Sequence, residues 1–165
     1  MTFTEYIMDI HNDSPYENVI TQGCTEQQIT EAEQQLNVTF PESYKEYLRK
    51  IGQLTMILDD GEKTGLTGLN TSDEYDVVKV TTAERLINPY FPDDMFIIHD
   101  RENRLQKCKL HQMLTDKKIN SVDILNGYTS KQAVDKLGCV YNISYAIIER
   151  ISDSLDDYHQ WLFGA

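Results

Sequence analysis

The sequence predicts a single α+β domain spanning residues 1–165. Three observations lead there. Residues 25–52, TEQQITEAEQQLNVTFPESYKEYLRKIG, encode two consecutive helices, each with its own start signal. Several later segments are short, apolar and bounded by turn residues, as strands are. At 165 residues the chain can build one hydrophobic core and is short for two.

Phe3, Tyr6, Ile7 and Ile10 recur at helical spacing and predict a short amphipathic helix over 3–11. Pro15 ends it and pushes Ser14 out of the α region. Residues 15–24 carry no periodicity and read as loop. Thr25 is then a helix N-cap, and Gln28 completes a capping box. Ile29, Ala32 and Leu36 form the apolar stripe of the first helix. After an extended link through Val38 and Phe40, Pro41 starts the second helix. Tyr44, Tyr47, Leu48 and Ile51 share one face of it, a spacing that favours core packing over an exposed stacking platform. Glu46 and Lys50 form an i,i+4 pair, and Gly52 closes the helix.

Beyond Gly52, Leu54, Met56, Ile57 and Leu58, the turn Asp59-Asp60-Gly61 and the glycine-dotted GLTGLN predict two short strands around an acidic turn. Val77, Val78 and Val80 read as an extended segment. Thr81 or Thr82 would cap a short helix bearing Leu86 and Ile87, stopped by Asn88-Pro89. Met95–Ile98 is a buried strand by length and residue type, followed by a charged turn over 100–104. Residues 105–110 suggest an edge strand, and 119–125 another before the turn Asn126-Gly127. Ile143, Ile147, Ile151, Leu155, Tyr158 and Leu162 predict a long C-terminal helix, capped by Asn142 or Ser144 and anchored by Trp161.

Composition narrows function. Asp and Glu number 27 against 15 Lys and Arg, a net charge of −12. The imbalance lies in residues 1–102, with 20 acids and 7 bases, whereas residues 103–165 are nearly neutral. Such a chain repels phosphate backbones and anionic lipid, so nucleic acid and membrane are disfavoured as partners and a basic protein is favoured. Cys24, Cys108 and Cys139 are odd in number and form no CxxC, as expected of reduced thiols in a cytoplasmic protein. Acidic residues interrupt the N-terminal stretch, and no apolar run is long enough to span a bilayer.

A search for chemistry yields no active site, metal site or cofactor motif. The chain has no HExxH, no GxSxG and no GK[ST] after its glycines. His99-Asp100 with His111 and nearby Cys108 is the one grouping with metal-ligand residue types, and ordinary strand-end polarity accounts for it better. The acidic turn lacks EF-hand spacing. The candidates for partner contact are Asp59, Asp60, Glu62, Asp73, Glu74, Tyr75 and Asp76, acidic and aromatic residues suited to Arg and Lys.

Glu31, Glu33, Leu36, Val38, Phe40, Pro41, Tyr44, Tyr47 and Leu48 together resemble the opening motif of the SUKH superfamily: an acidic helix, an apolar link with proline, then tyrosine and an aromatic-leucine pair. Weaker similarity lies in Asp76-Val77-Val78, in FPDDMFIIHD and in ISDSLDDYHQWL. The chain departs from the family at Gly52-Gln53, where an Asn-Gly or Gly-Gly turn is usual, and residues 126–145 match no part of the pattern. The resemblance implies a largely antiparallel central sheet flanked by helices. It also implies a non-enzymatic immunity protein that binds a cognate bacterial toxin, commonly a nuclease, and occludes its basic active or substrate face. The alternative it leaves open is a regulatory or scaffolding protein-binding domain, because one fold hosts several binding functions.

Overall fold

The computed structural model describes residues 1–100 and 128–158. The expected turn over 100–104 beyond Asp100, the strands at 105–110 and 119–125, the turn Asn126-Gly127, Cys108, His111, His159, Trp161 and Leu162 lie outside them.

Helix α1 (Phe3–Asp13) begins with a capping box between Thr2 and Glu5 and ends at Ser14, ahead of Pro15. Strand β1 (Glu17–Ile20) follows, where a loop was expected. Four residues give little periodicity; this strand exists through its antiparallel pairing with β2 (Leu54–Ile57). Helices α2 (Glu26–Leu36) and α3 (Glu42–Lys50) take their expected places. The Thr25 hydroxyl accepts the Gln28 N–H at 3.2 Å, and the Gln28 side chain returns the bond to the Thr25 N–H at 2.9 Å. Asn37 leaves α2 in the left-handed conformation, and Glu33 accepts the Phe40 N–H at 2.9 Å, fixing the link between the helices. Gly52 ends α3 with φ +82°, and Lys50 meets Glu46 at 3.0 Å.

Strand β3 (Lys63–Gly65) pairs with β2 across the acidic turn. These three strands form one antiparallel sheet in the order β1-β2-β3. The second sheet, order β4-β5-β6-β7, comprises β4 (Phe96–Asp100), β5 (Lys131–Val134), β6 (Val140–Ser144) and β7 (Ile147–Ser152), and is antiparallel throughout. An isolated antiparallel bridge between Leu66 and His99 joins the two sheets, and Thr67 donates its N–H to the Ile98 carbonyl at 2.9 Å. The arrangement is α+β and antiparallel, as expected, with two bridged sheets in place of one.

Two expected elements are corrected. Val77–Ile87 is a single helix, α4. Asp76 caps it by accepting the Lys79 N–H at 3.0 Å, so the strand preference of the valines yields to a start signal just before them. The long C-terminal helix is instead the β6–β7 hairpin followed by α5 (Leu155–Tyr158). Ile143, Ile147, Ile148 and Ile151 are β-branched and favour extended backbone. Ser144 pairs with Ile147, and Tyr145 turns the chain at φ 58°. The Ser154 hydroxyl, not Asn142 or Ser144, accepts the Asp157 N–H at the start of α5.

The main core lies under α1, α2 and α3. Tyr44 and Tyr47 are fully buried in an aromatic chain running from Phe3 through Tyr47 and Tyr44 to Phe96, with Phe40 against both Tyr44 and Phe96. Their hydroxyls are satisfied there: Tyr44 donates to the Thr67 carbonyl at 3.2 Å, and Tyr47 accepts the Leu54 N–H at 3.0 Å. Phe96 and Ile98 face this core, while Ile97 joins Phe91, Met95, Ala133 and Ile143 in a smaller core on the other face of the sheet. Burial on both faces explains why Met95–Ile98 is continuously apolar.

Candidate partner-binding surface

The acidic residues singled out in the sequence fall on two surface features. The first is the tip of the β2–β3 hairpin. There Leu58 donates to the Glu62 carbonyl at 2.7 Å, Gly61 donates to Leu58 at 2.9 Å with φ +83°, and the Asp60 carboxylate accepts the Glu62 N–H at 2.9 Å. Asp59, Asp60 and Glu62 are exposed. No cation pairs with them among the described residues. Asp60 spends one oxygen on shaping the turn, so Asp59 and Glu62 are the carboxylates with full capacity to meet a partner.

The second feature is the 3₁₀ turn Asp73–Tyr75 that leads into α4. Asp73 is exposed, Glu74 and Asp76 are half-buried, and Asp73 holds the Lys79 ammonium at 2.7 Å. That hydrogen bond raises the lysine's pKa and keeps it charged. Tyr75 is only 7% exposed, and its ring packs against Gly65, 2.8 Å from where a Cβ there would sit. It therefore supports the turn from beneath and is not presented as an aromatic contact. The Tyr75 carbonyl accepts the Gly68 N–H, and Gly68 accepts the Val77 N–H, both at 2.9 Å, which locks the turn to the strand segment behind it.

Asp76 also borders a groove of about 270 Å³ between α2 and α4. Gln28, Glu31 and Gln35 line it from α2, Val78 and Lys79 from α4, and Ala32, Leu69 and Asn70 complete it. Asn70 adopts the left-handed conformation and is tied to Gln28 at 2.8 Å and to the Gln22 carbonyl at 3.1 Å, so this wall is fixed by side-chain bonds. Sequence reasoning did not find the groove, which depends on two helices separated by some forty residues coming together.

A buried polar network went unnoticed as well. Glu84 of α4 is 1% exposed and Lys131 of β5 is 4% exposed, with carboxylate and ammonium 3.2 Å apart. Tyr128 donates to Glu84 at 2.7 Å, Asn88 donates to it at 3.0 Å, and the lysine sits 4.1 Å above the Tyr128 ring. Burial, then the adjacent Glu84 charge, pushes the Tyr128 phenol well up. Val77, Thr81, Glu84 and Asn88 lie on one helical stripe, a signal hidden by reading 77–80 as extended. The network is sealed between helix and sheet and braces that packing.

His99 is buried at the sheet junction, where its Nε2 lies 3.0 Å from the Thr64 hydroxyl. Among the described residues no group of three His, Cys, Asp or Glu side chains could hold a metal ion, and no helix is long and apolar enough to cross a membrane.

The helix pair, both antiparallel sheets and the short closing helix fall largely within one family match: the model of the SMI1 / KNR4 family (SUKH-1) covers residues 23–160. The chain belongs to this family. The SUKH match starts just before the Thr25 cap and takes in strands β2 to β7, leaving out α1 and β1. SUKH domains are in general non-enzymatic immunity or regulatory proteins. No curated protein matches the chain significantly in sequence.

Proposed function

We propose that this SUKH protein is an immunity protein that acts in the cytoplasm, binding a cognate bacterial toxin and covering its basic active or substrate-binding face. The observation that carries the reading is the hairpin tip, where Asp59, Asp60 and Glu62 stand exposed with no cation pairing to them among the described residues. A face that binds nucleic acid is basic, so a nuclease toxin is the partner class such a surface complements. Occlusion asks no chemistry of this chain. It needs a rigid scaffold, which the core-packed helix pair supplies, and loops that project charge from it.

The test is physical and cellular. A toxin gene is expected beside the gene for this chain; its product is expected to co-purify with the full chain, and co-expression is expected to restore growth. Failure of both, or an isolated locus with no such neighbour, overturns the immunity reading in favour of a regulatory or scaffolding binding domain.

A further inference from the structure

The groove between α2 and α4 has a chemistry distinct from the open hairpin tip. Its volume, about 270 Å³, falls just below the ~300–1,000 Å³ of small-molecule sites, and suits a single long side chain better than a cofactor. Ala32, Leu69 and Val78 give it an apolar component, and Glu31 and Asp76 bring carboxylates to its lining. Glu31 accepts one bond from Gln27 at 3.1 Å and has no ion-pair partner among the described residues. Asp76 gives one oxygen to the Lys79 N–H. Lys79 would oppose a cation, but Asp73 holds its ammonium at 2.7 Å. Glu31, Asp73 and Asp76 against Lys79 leave the groove and its margin at −2.

An apolar surface beside dispersed acceptors complements arginine. The aliphatic stem packs on the apolar part, and the guanidinium offers five donors in a planar fork that can engage several oxygens at once. Lysine places a point charge and satisfies fewer of them. Asp76 belongs both to the groove and to the acidic turn, so an arginine seated here would lie beside the Asp73–Asp76 segment. We propose that the α2–α4 groove receives an arginine side chain from a basic protein partner. This rests on the partner-binding reading above and names one of its contacts.

The test uses N-acetylarginine amide as probe, titrated into the full ¹⁵N-labelled chain, with the uncharged N-acetylcitrulline amide as control. The expected result is a set of amide shifts concentrated at Gln28, Ala32, Gln35, Asn70 and Val78, absent with citrulline. They should be lost in Glu31→Gln/Asp76→Ser, in which serine keeps the helix cap. Shifts centred on Asp59–Glu62, equal shifts with citrulline, or persistence in the double variant would overturn the proposal. A second variant, Gln35→Trp, fills the groove from an exposed helical position and should block the same shifts. The readout needs no toxin, so it stands apart from the immunity reading. With the toxin partner of the immunity reading identified, the double variant should weaken its binding at least tenfold. Undiminished binding would remove the groove and leave the immunity reading intact.

Discussion

The Glu84 carboxylate lies 3.2 Å from the Lys131 ammonium with both side chains buried, joining α4 to strand β5 of the four-stranded sheet. Removing one partner of a buried ion pair costs ~3–5 kcal/mol. Glu84→Ala and Lys131→Ala are each expected to lose about that much in denaturant unfolding. The double variant Glu84→Met/Lys131→Met should recover part of it, because two apolar side chains leave no buried charge although Tyr128 and Asn88 lose their bonds to Glu84. A double variant as unstable as the sum of the singles would show that the pair is not coupled.

Gly68 packs where a Cβ would collide with the Gly52 carbonyl oxygen, so its substitution meets backbone that cannot rotate away. Gly61 has open space around it and only a left-handed φ of +83°. Gly68→Ala is expected to cost at least the ~1–3 kcal/mol of core overpacking. Gly61→Ala should cost only the ~1–2 kcal/mol of a left-handed residue. Thermal unfolding of the two variants side by side checks the order.

The helix pair was legible because its signals are local: the Thr25–Gln28 capping box, Pro41 at the restart and Gly52 at the stop each act within a turn of helix. The strands of β6 and β7 were not, because Ile143, Ile147 and Ile151 fit helical spacing by coincidence and only cross-strand pairing decides between the two. Similarly, β1 depends on β2, some thirty-five residues away. For the candidate surface, charge was visible in the composition and position was not. Tyr75 is an exposed-type residue in the sequence, yet its ring packs against Gly65, and the groove and the Glu84–Lys131 pair arise from tertiary approach alone.

Burial pushes the Tyr44 and Tyr47 phenols well above their usual value near 10. The folded state therefore holds these protons more tightly than the unfolded chain. Stability is intact below about pH 10 and falls as pH rises beyond it. In an alkaline titration, phenolate absorbance from these two residues should appear together with unfolding and not before it. The variant Tyr44→Phe/Tyr47→Phe is expected to be less stable at neutral pH, having lost hydrogen bonds worth ~0.5–1.5 kcal/mol each, yet to lose less stability between about pH 9 and 11. An unchanged alkaline slope would contradict this.

Asp59 and Glu62 project from the hairpin tip, while Asp60 also holds the turn by accepting the Glu62 N–H at 2.9 Å. Charge reversal is therefore best made at the outer two, as Asp59→Lys/Glu62→Lys, which leaves the turn's own bond in place. Exposed charges act mainly on diffusional encounter, so association with the proposed toxin partner should slow roughly tenfold or more at low salt, with little change in dissociation. The difference should shrink as added salt shortens the screening length toward ~8 Å. Asp60→Lys should add a loss of stability that the other two do not show, because it also removes the turn's acceptor. Surface plasmon resonance at two salt concentrations separates these effects. Association as fast as wild type at low salt would take the hairpin tip out of the interface.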